Sequence, residues 1–158
     1  MTIASIQFDS ATQEAYLSLW RSYDRLRAIE DSLFARWDVT AQQYNVLRLL
    51  ESTVDESVPT LSLVSRLISR APDITRIIDR LEKRGWIQRE RSASDRRAVM
   101  VSITASGRGL IEEIAKPLQQ CHQEQLGHMS DQELETMTAL LCKARGPHEP
   151  EGSRWKTV

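Results

Sequence analysis

Cysteine is almost missing from this 158-residue chain, which carries only Cys121 and Cys142. Two thiols give no disulfide framework and fit a reducing cytoplasm. No stretch of 18 consecutive apolar residues occurs, so no helical membrane span is expected. The opening segment MTIASIQFDS lacks the basic start and apolar stretch of a secretory signal, and a cytoplasmic location is expected. Glycine (six) and histidine (three) are also sparse, and there is no glycine-rich phosphate loop. What is present is 41% hydrophobic and 27% charged. That composition suits one soluble domain, or one domain with an appendage, long enough for a real core.

The overall charge of −1 conceals an uneven distribution. Residues 66–97 hold ten Lys or Arg against five acids, so this segment is +5 and the remainder −6. A basic middle fits a polyanionic partner. A solvated charged face fits as well, and charge alone does not separate the two.

Periodicity organises the chain. From Ala11 to Trp37 apolar residues recur with helical spacing, through Ala15, Tyr16, Leu19, Trp20, Tyr23, Leu26, Leu33 and Phe34. A helix of that length exceeds the globular mean and is expected to pack on more than its own small domain. Thr40 looks like the N-cap of a second helix with Tyr44, Leu47 and Leu50 on one side, ending near Ser52. STVDESVP reads as a loop. Thr60 is expected to cap a third helix whose buried side carries Leu61, Val64, Leu67 and Ile68.

The segment ISRAPDITRIIDRLEKRG is the most informative. Pro72 suits a first helical turn and Gly85 the position just past the end. At about 100° per residue, Ile74, Ile77, Ile78 and Leu81 share one side, and Pro72, Thr75, Arg76, Asp79 and Lys83 the other, with Arg80 at its edge. WIQRER then reads as a strand, Ser92–Arg97 as a polar tip, and Val99, Val101 and Ile103 alternate along a second strand. Helix, helix, hairpin is the order of a winged helix-turn-helix, in which the second helix enters a major groove.

Four stretches make the resemblance specific: TAQQYNVLRLL (40–50), ITRIIDRLEKRGWIQR (74–89), DRRAVMVSIT (95–104) and TASG (104–107). In order and spacing they resemble the MarR family of transcriptional regulators. The resemblance implies a mainly α fold of six helices with a small β-hairpin wing. It implies a homodimer whose terminal helices form the interface and whose winged lobes grip double-stranded DNA. The corresponding division is an N-terminal dimerisation helix (11–36), a winged helix-turn-helix lobe (40–104), C-terminal dimerisation helices (105–145) and a mobile tail (146–158).

The remaining sequence fits that frame. Thr104 caps a helix to about Leu126, with Leu110, Ile111, Ile114, Leu118, Cys121 and Gln125 along one side and Pro117 as an internal kink. Ser130 and Glu133 form a capping box for a last helix striped by Leu134, Met137, Leu141 and Ala144, which Gly146 ends. Trp155, in the tail, is a candidate to dock on a partner subunit.

In the family the wing arginine enters the minor groove. The resemblance gives that role to Arg97, with Asp95 orienting it and Arg96 on a phosphate. Thr75 and Arg76, on the outer face of the first turn, are the candidates for base contact. Arg70, ahead of Pro72, is a candidate phosphate ligand helped by helix amides. Asp73 and Asp79 could accept from cytosine N4 or tether Arg76, Arg80 or Lys83. Arg80 serves phosphate or pairs with Asp79. Many relatives bind small aromatic acids or phenols between the lobes, which makes Trp20, Tyr23, Arg27, Tyr44 and Arg48 effector candidates; each fits an ordinary core or interface position too. Peroxide-sensing relatives carry a cysteine in the first helix, and this chain has none there.

No cofactor is expected, and no metal: Cys121, His122 and His128 have no established zinc spacing. The three histidines fall in the dimerisation region or tail, which argues against an enzyme. The expected function is a repressor released by a small-molecule effector. The alternative is a dimeric interaction module of the same fold without DNA binding.

Overall fold

The first helix begins where Ser10 can satisfy it. The Ser10 hydroxyl accepts from the Gln13 amide at 3.1 Å, and the Gln13 side chain bonds back to Asp9. The computed structural model describes residues 7–53, 57–68, 73–91, 98–151, 153 and 155. In it α1 runs Ala11–Phe34 and tightens into a 3-10 turn, Ala35–Trp37. Asp38 takes φ +52° and redirects the chain. Helix α2, Ala41–Glu51, opens on a full capping box between Thr40 and Gln43. Its Tyr44, Leu47 and Leu50 are buried, together with Val46 and Leu49.

The next segment departs from expectation twice. Within the expected loop, Val58–Pro59 forms a short strand, β1. Helix α3, Thr60–Val64, follows with Pro59 at its N-cap position and no side-chain cap. Thr60 does not cap. Strand addition at residues 58–59 carries its hydroxyl to the Val99 carbonyl, to which it donates at 3.1 Å. The inward side of this segment belongs to Leu63 and Leu67, four residues apart. Leu61 (83% exposed), Val64 and Ile68 (68% exposed), expected on the buried side, face outward. Leu61 and Val64 lie about 100° or more from Leu63 around the axis, so one inward face cannot hold all three.

Helix α4, Ile74–Lys83, has the two faces its sequence implies. Ile78 and Leu81 are buried and Ile74 and Ile77 partly so, while Thr75, Arg76, Asp79, Arg80 and Lys83 are exposed. Gly85 follows at φ +72°, a backbone state that side chains resist. Strands β2, Ile87–Arg91, and β3, Val99–Ile103, pair antiparallel, from Ile87 with Ile103 to Arg91 with Val99. β1 adds on the other side of β3, giving the order β1-β3-β2, so the base of the wing is three-stranded.

Helix α5, Ala105–Leu126, is capped by Thr104, whose hydroxyl accepts from Gly107 N at 3.1 Å and donates to Gly85 O at 2.7 Å. A Cβ at Gly107 would overlap the Trp86 carbonyl and the Ile103 side chain, so only glycine lets α5 seat on the wing base. Leu110, Ile111, Ile114 and Cys121 are buried along α5, and Pro117 sits inside it without ending it. The core joins Leu110, Ile111 and Ile114 to Phe34, Leu47, Leu63, Ile78, Leu81 and Val101. Helix α1 is tied to α5 by Gln125 Nε2 donating to Leu26 O at 2.7 Å, and by Trp37 Nε1 donating to Glu113 at 3.2 Å.

Helix α6, Asp131–Arg145, opens on the Ser130–Glu133 capping box, whose hydrogen bonds hold the Glu133 carboxyl below its ordinary range. None of its residues is buried, and Leu140 is 61% exposed. On α1, Tyr16, Leu19, Trp20 and Tyr23 are equally uncovered. A 3-10 turn, Gly146–His148, follows α6, and beyond it Arg145 Nε donates to the Trp155 carbonyl at 3.2 Å. Trp155 thus lies against its own chain. Among the described residues no helix is long and apolar enough to cross a membrane.

Candidate nucleic-acid interface

The outer face of α4 is organised at its start by Asp73, a role the sequence reading missed. Its carboxylate accepts from the Arg76 amide at 3.0 Å, capping the helix, and pairs with Arg76 Nε at 2.8 Å. Of the roles open to Asp73, the tether for Arg76 is the one formed. The Arg76 side chain remains 82% exposed, so one rotamer is favoured without being buried. Thr75 stands beside it on the same exposed turn. Arg80 and Lys83 are exposed on this same face.

Asp79 turns away from Arg80. It meets Arg89 of β2 at 2.8 Å, and Glu82 accepts from Arg89 Nε at 2.8 Å and from its Nη2. That hydrogen bonding pulls the Glu82 carboxyl below its usual range and raises the Arg89 guanidinium. Arg84, at the end of α4, lies 4.3 Å over the Trp86 ring and pairs with Asp38 at 2.7 Å. Sequence spacing could not have supplied the Arg89 and Asp38 pairings, because each joins two separate segments. Arg70 and Pro72, ahead of α4, and Asp95, Arg96 and Arg97, between β2 and β3, lie outside the described residues.

The five effector candidates lie on two helices, with Tyr23 beside Arg27 on α1 and Tyr44 beside Arg48 on α2. Trp20 and Tyr23 are exposed on α1, and Arg27 pairs with Asp31 at 3.3 Å on the same helix. Tyr44 is in the core, its ring 5.2 Å from that of Phe34, and burial raises its hydroxyl pKa. Arg48 pairs with Glu51 at 2.6 Å. None of the five lines the groove of about 620 Å³ between α1 and α5, whose polar lining includes Arg25, Ser32, Arg36 and Gln120.

Comparison with known proteins bears on the family. The model of the MarR family matches residues 39–99. The transcriptional repressor MprA of Escherichia coli K12 is 34% identical over 112 residues. That match takes in 69% of this chain but spans only 64% of the repressor's length. A crystal structure of a MarR transcription factor from Planctomyces limnophilus is 48% identical, with 85% of this chain and 98% of that one covered and a TM-score of 0.68. BpsR of Bordetella bronchiseptica, whose DNA binding is regulated by 6-hydroxynicotinic acid, is 27% identical, with 88% and 97% covered and a TM-score of 0.76.

Proposed function

The chain belongs to the MarR family, and from that premise we propose that it is a sequence-specific DNA-binding transcriptional regulator acting as a homodimer in the cytoplasm. One observation carries the reading. Helix α4 is fixed by Ile78 and Leu81 from below and presents Thr75, Arg76, Arg80 and Lys83 outward. A helix with one buried face and one face of donors is what a major groove accepts. Base edges fall to Thr75 and Arg76, and phosphates to Arg80 and Arg70. Arg97 takes the minor groove, with Asp95 orienting it and Arg96 on the backbone.

The bare faces of α1 and α6 support the dimer. Tyr16, Leu19, Trp20, Tyr23 and Leu140 are apolar surface that a second copy would remove from water. As a repressor, the chain would be released by a small aromatic or phenolic acid. The groove between α1 and α5 holds Arg25 and Arg36 together with Glu124, and its two cations would meet the acid group of such a ligand.

Genomic fragments bound by the chain, recovered and sequenced, test the reading. An inverted repeat with half-sites about 34–36 Å apart is expected from two recognition helices on one face of the duplex. Failure to enrich any fragment would favour the interaction-module alternative. A folded monomer at micromolar concentration in sedimentation would remove the dimer.

A further inference from the structure

Asp79 and Glu82 are a liability on a helix that faces a polyanion. One side chain answers both. Arg89 Nη2 lies 2.8 Å from Asp79 Oδ1, its Nε donates to Glu82 Oε2 at 2.8 Å, and its Nη2 donates to that same oxygen. The Arg89 side chain is 29% exposed, whereas Arg76 on the outer face is 82% exposed. An arginine kept for phosphate would keep its donors open; this one turns Nε and Nη2 to carboxylates of its own chain. Opposite Arg89 in the ladder stands Val101, which is fully buried, so the backbone that holds the guanidinium is anchored in the core.

We propose that Arg89 is a positioning residue for DNA recognition, one that touches no nucleotide. It locks α4 to the first wing strand and cancels carboxylate charge that would otherwise face the phosphates. The inference rests on the DNA-binding reading above. Its physical basis is the planar fork of the guanidinium, which can serve two carboxylates at once where the ammonium of lysine offers a point charge. Asp79 and Glu82, three residues apart, share one side of α4, so a single fork reaches both. β2 ends at Arg91, immediately before the Ser92–Arg97 stretch, so the angle between α4 and β2 decides where that stretch meets the duplex relative to the helix.

The test uses the full-length chain and a duplex recovered from genomic DNA by the wild-type protein. Binding is measured by anisotropy at several salt concentrations, with melting temperature and sedimentation followed in parallel. R89Q is expected to weaken binding about 10-fold or more, since it leaves two carboxylates unpaired beside the phosphates. Base preference should stay as in wild type, because no base contact is lost. D79N and E82Q together, in the R89Q background, should recover part of the loss. R89K should fall between R89Q and wild type.

Wild-type affinity in R89Q overturns the proposal. So does a salt slope that stays lower by about one unit in the triple variant, where no unpaired carboxylate remains, which would make Arg89 a phosphate ligand. Absence of recovery in the triple variant also overturns it. Should R89Q not fold, R89K carries the same readings. A wild-type chain that selects no fragment would sink the DNA-binding reading instead. Hydrogen exchange in R89K then decides the clamp alone: faster exchange confined to α4 and β2 supports it, and unchanged exchange overturns it.

Discussion

Asp38 and Arg84 are 46 residues apart in the chain and joined by an ion pair of 2.7 Å. Arg84 also donates to the Trp37 and Asp38 carbonyls, so the end of α4 is fastened to the turn that follows α1. The pair is largely solvated, and a surface pair contributes about 0–1 kcal/mol. The left-handed backbone of Asp38 matters more. Asp38→Asn, which tolerates that conformation, should change stability by less than about 0.5 kcal/mol. Asp38→Val, which resists it, should cost about 1–2 kcal/mol. Urea denaturation separates them, and equal losses would show that the ion pair outweighs the backbone.

Tyr44 distinguishes a core residue from a ligand residue. Buried against Phe34, it should lose about 3–5 kcal/mol of stability on substitution by alanine, the scale of deleting a buried aromatic. A Tyr44→Ala chain of wild-type stability, with only an effector response lost, would return Tyr44 to the effector set.

The DNA-facing residues should fall into classes. Arg97→Ala should weaken operator binding by about 1–3 kcal/mol without changing the melting temperature. Thr75 and Arg76 variants should alter which bases are preferred inside each half-site. Arg70→Ala should lower affinity for every sequence and reduce the salt slope by about one unit. Selection from a randomised duplex library reads the base preferences, titrations at several salt concentrations the affinities and slopes, and thermal denaturation the melting temperature. Unchanged base preference in the Thr75 and Arg76 variants would leave α4 in the groove but assign its reading to other side chains.

Cys121 should be an inert thiol. It is buried, and burial together with Glu30 and Glu124 raises its pKa, so at neutral pH it stays protonated and the thiolate is scarce. Iodoacetamide at pH 7.5 should therefore modify Cys142, which is half-buried, well before Cys121. Mass spectrometry of timed samples checks this. Rapid labelling of Cys121 would mean that the α1–α5 packing opens readily.

Much of this architecture was legible because local chemistry and tertiary structure agree. Thr40, Thr104 and Ser130 cap their helices as expected, Ser130 through the capping box with Glu133. The isoleucines of α4 are buried, or partly so, on the side that 100° periodicity puts together. Thr60 misled for a specific reason. A threonine before an apolar run looks like a cap, but its hydroxyl went to a strand 39 residues away. Nothing local signalled that Val58–Pro59 would add to β3. The same holds for the candidate site. The outward residues of α4 follow from periodicity, whereas the partnership of Arg89 with Asp79 and Glu82 depends on how β2 folds back. Tyr44 shows the converse: an aromatic at helical spacing fits a ligand box and a core equally until its neighbours are known.

The seat of Gly107 under Trp86 makes α5 a lever. Its first turn is wedged against the wing base with no room for even one methyl group, so the two cannot slide past each other. A helix of 22 residues is about 33 Å long. With its start pinned, a tilt of about 5° moves its far end by about 3 Å, and the converse holds equally. A displacement of a few ångströms where two subunits meet would reach the hairpin as a change of aim, with no part of the winged lobe having to unfold.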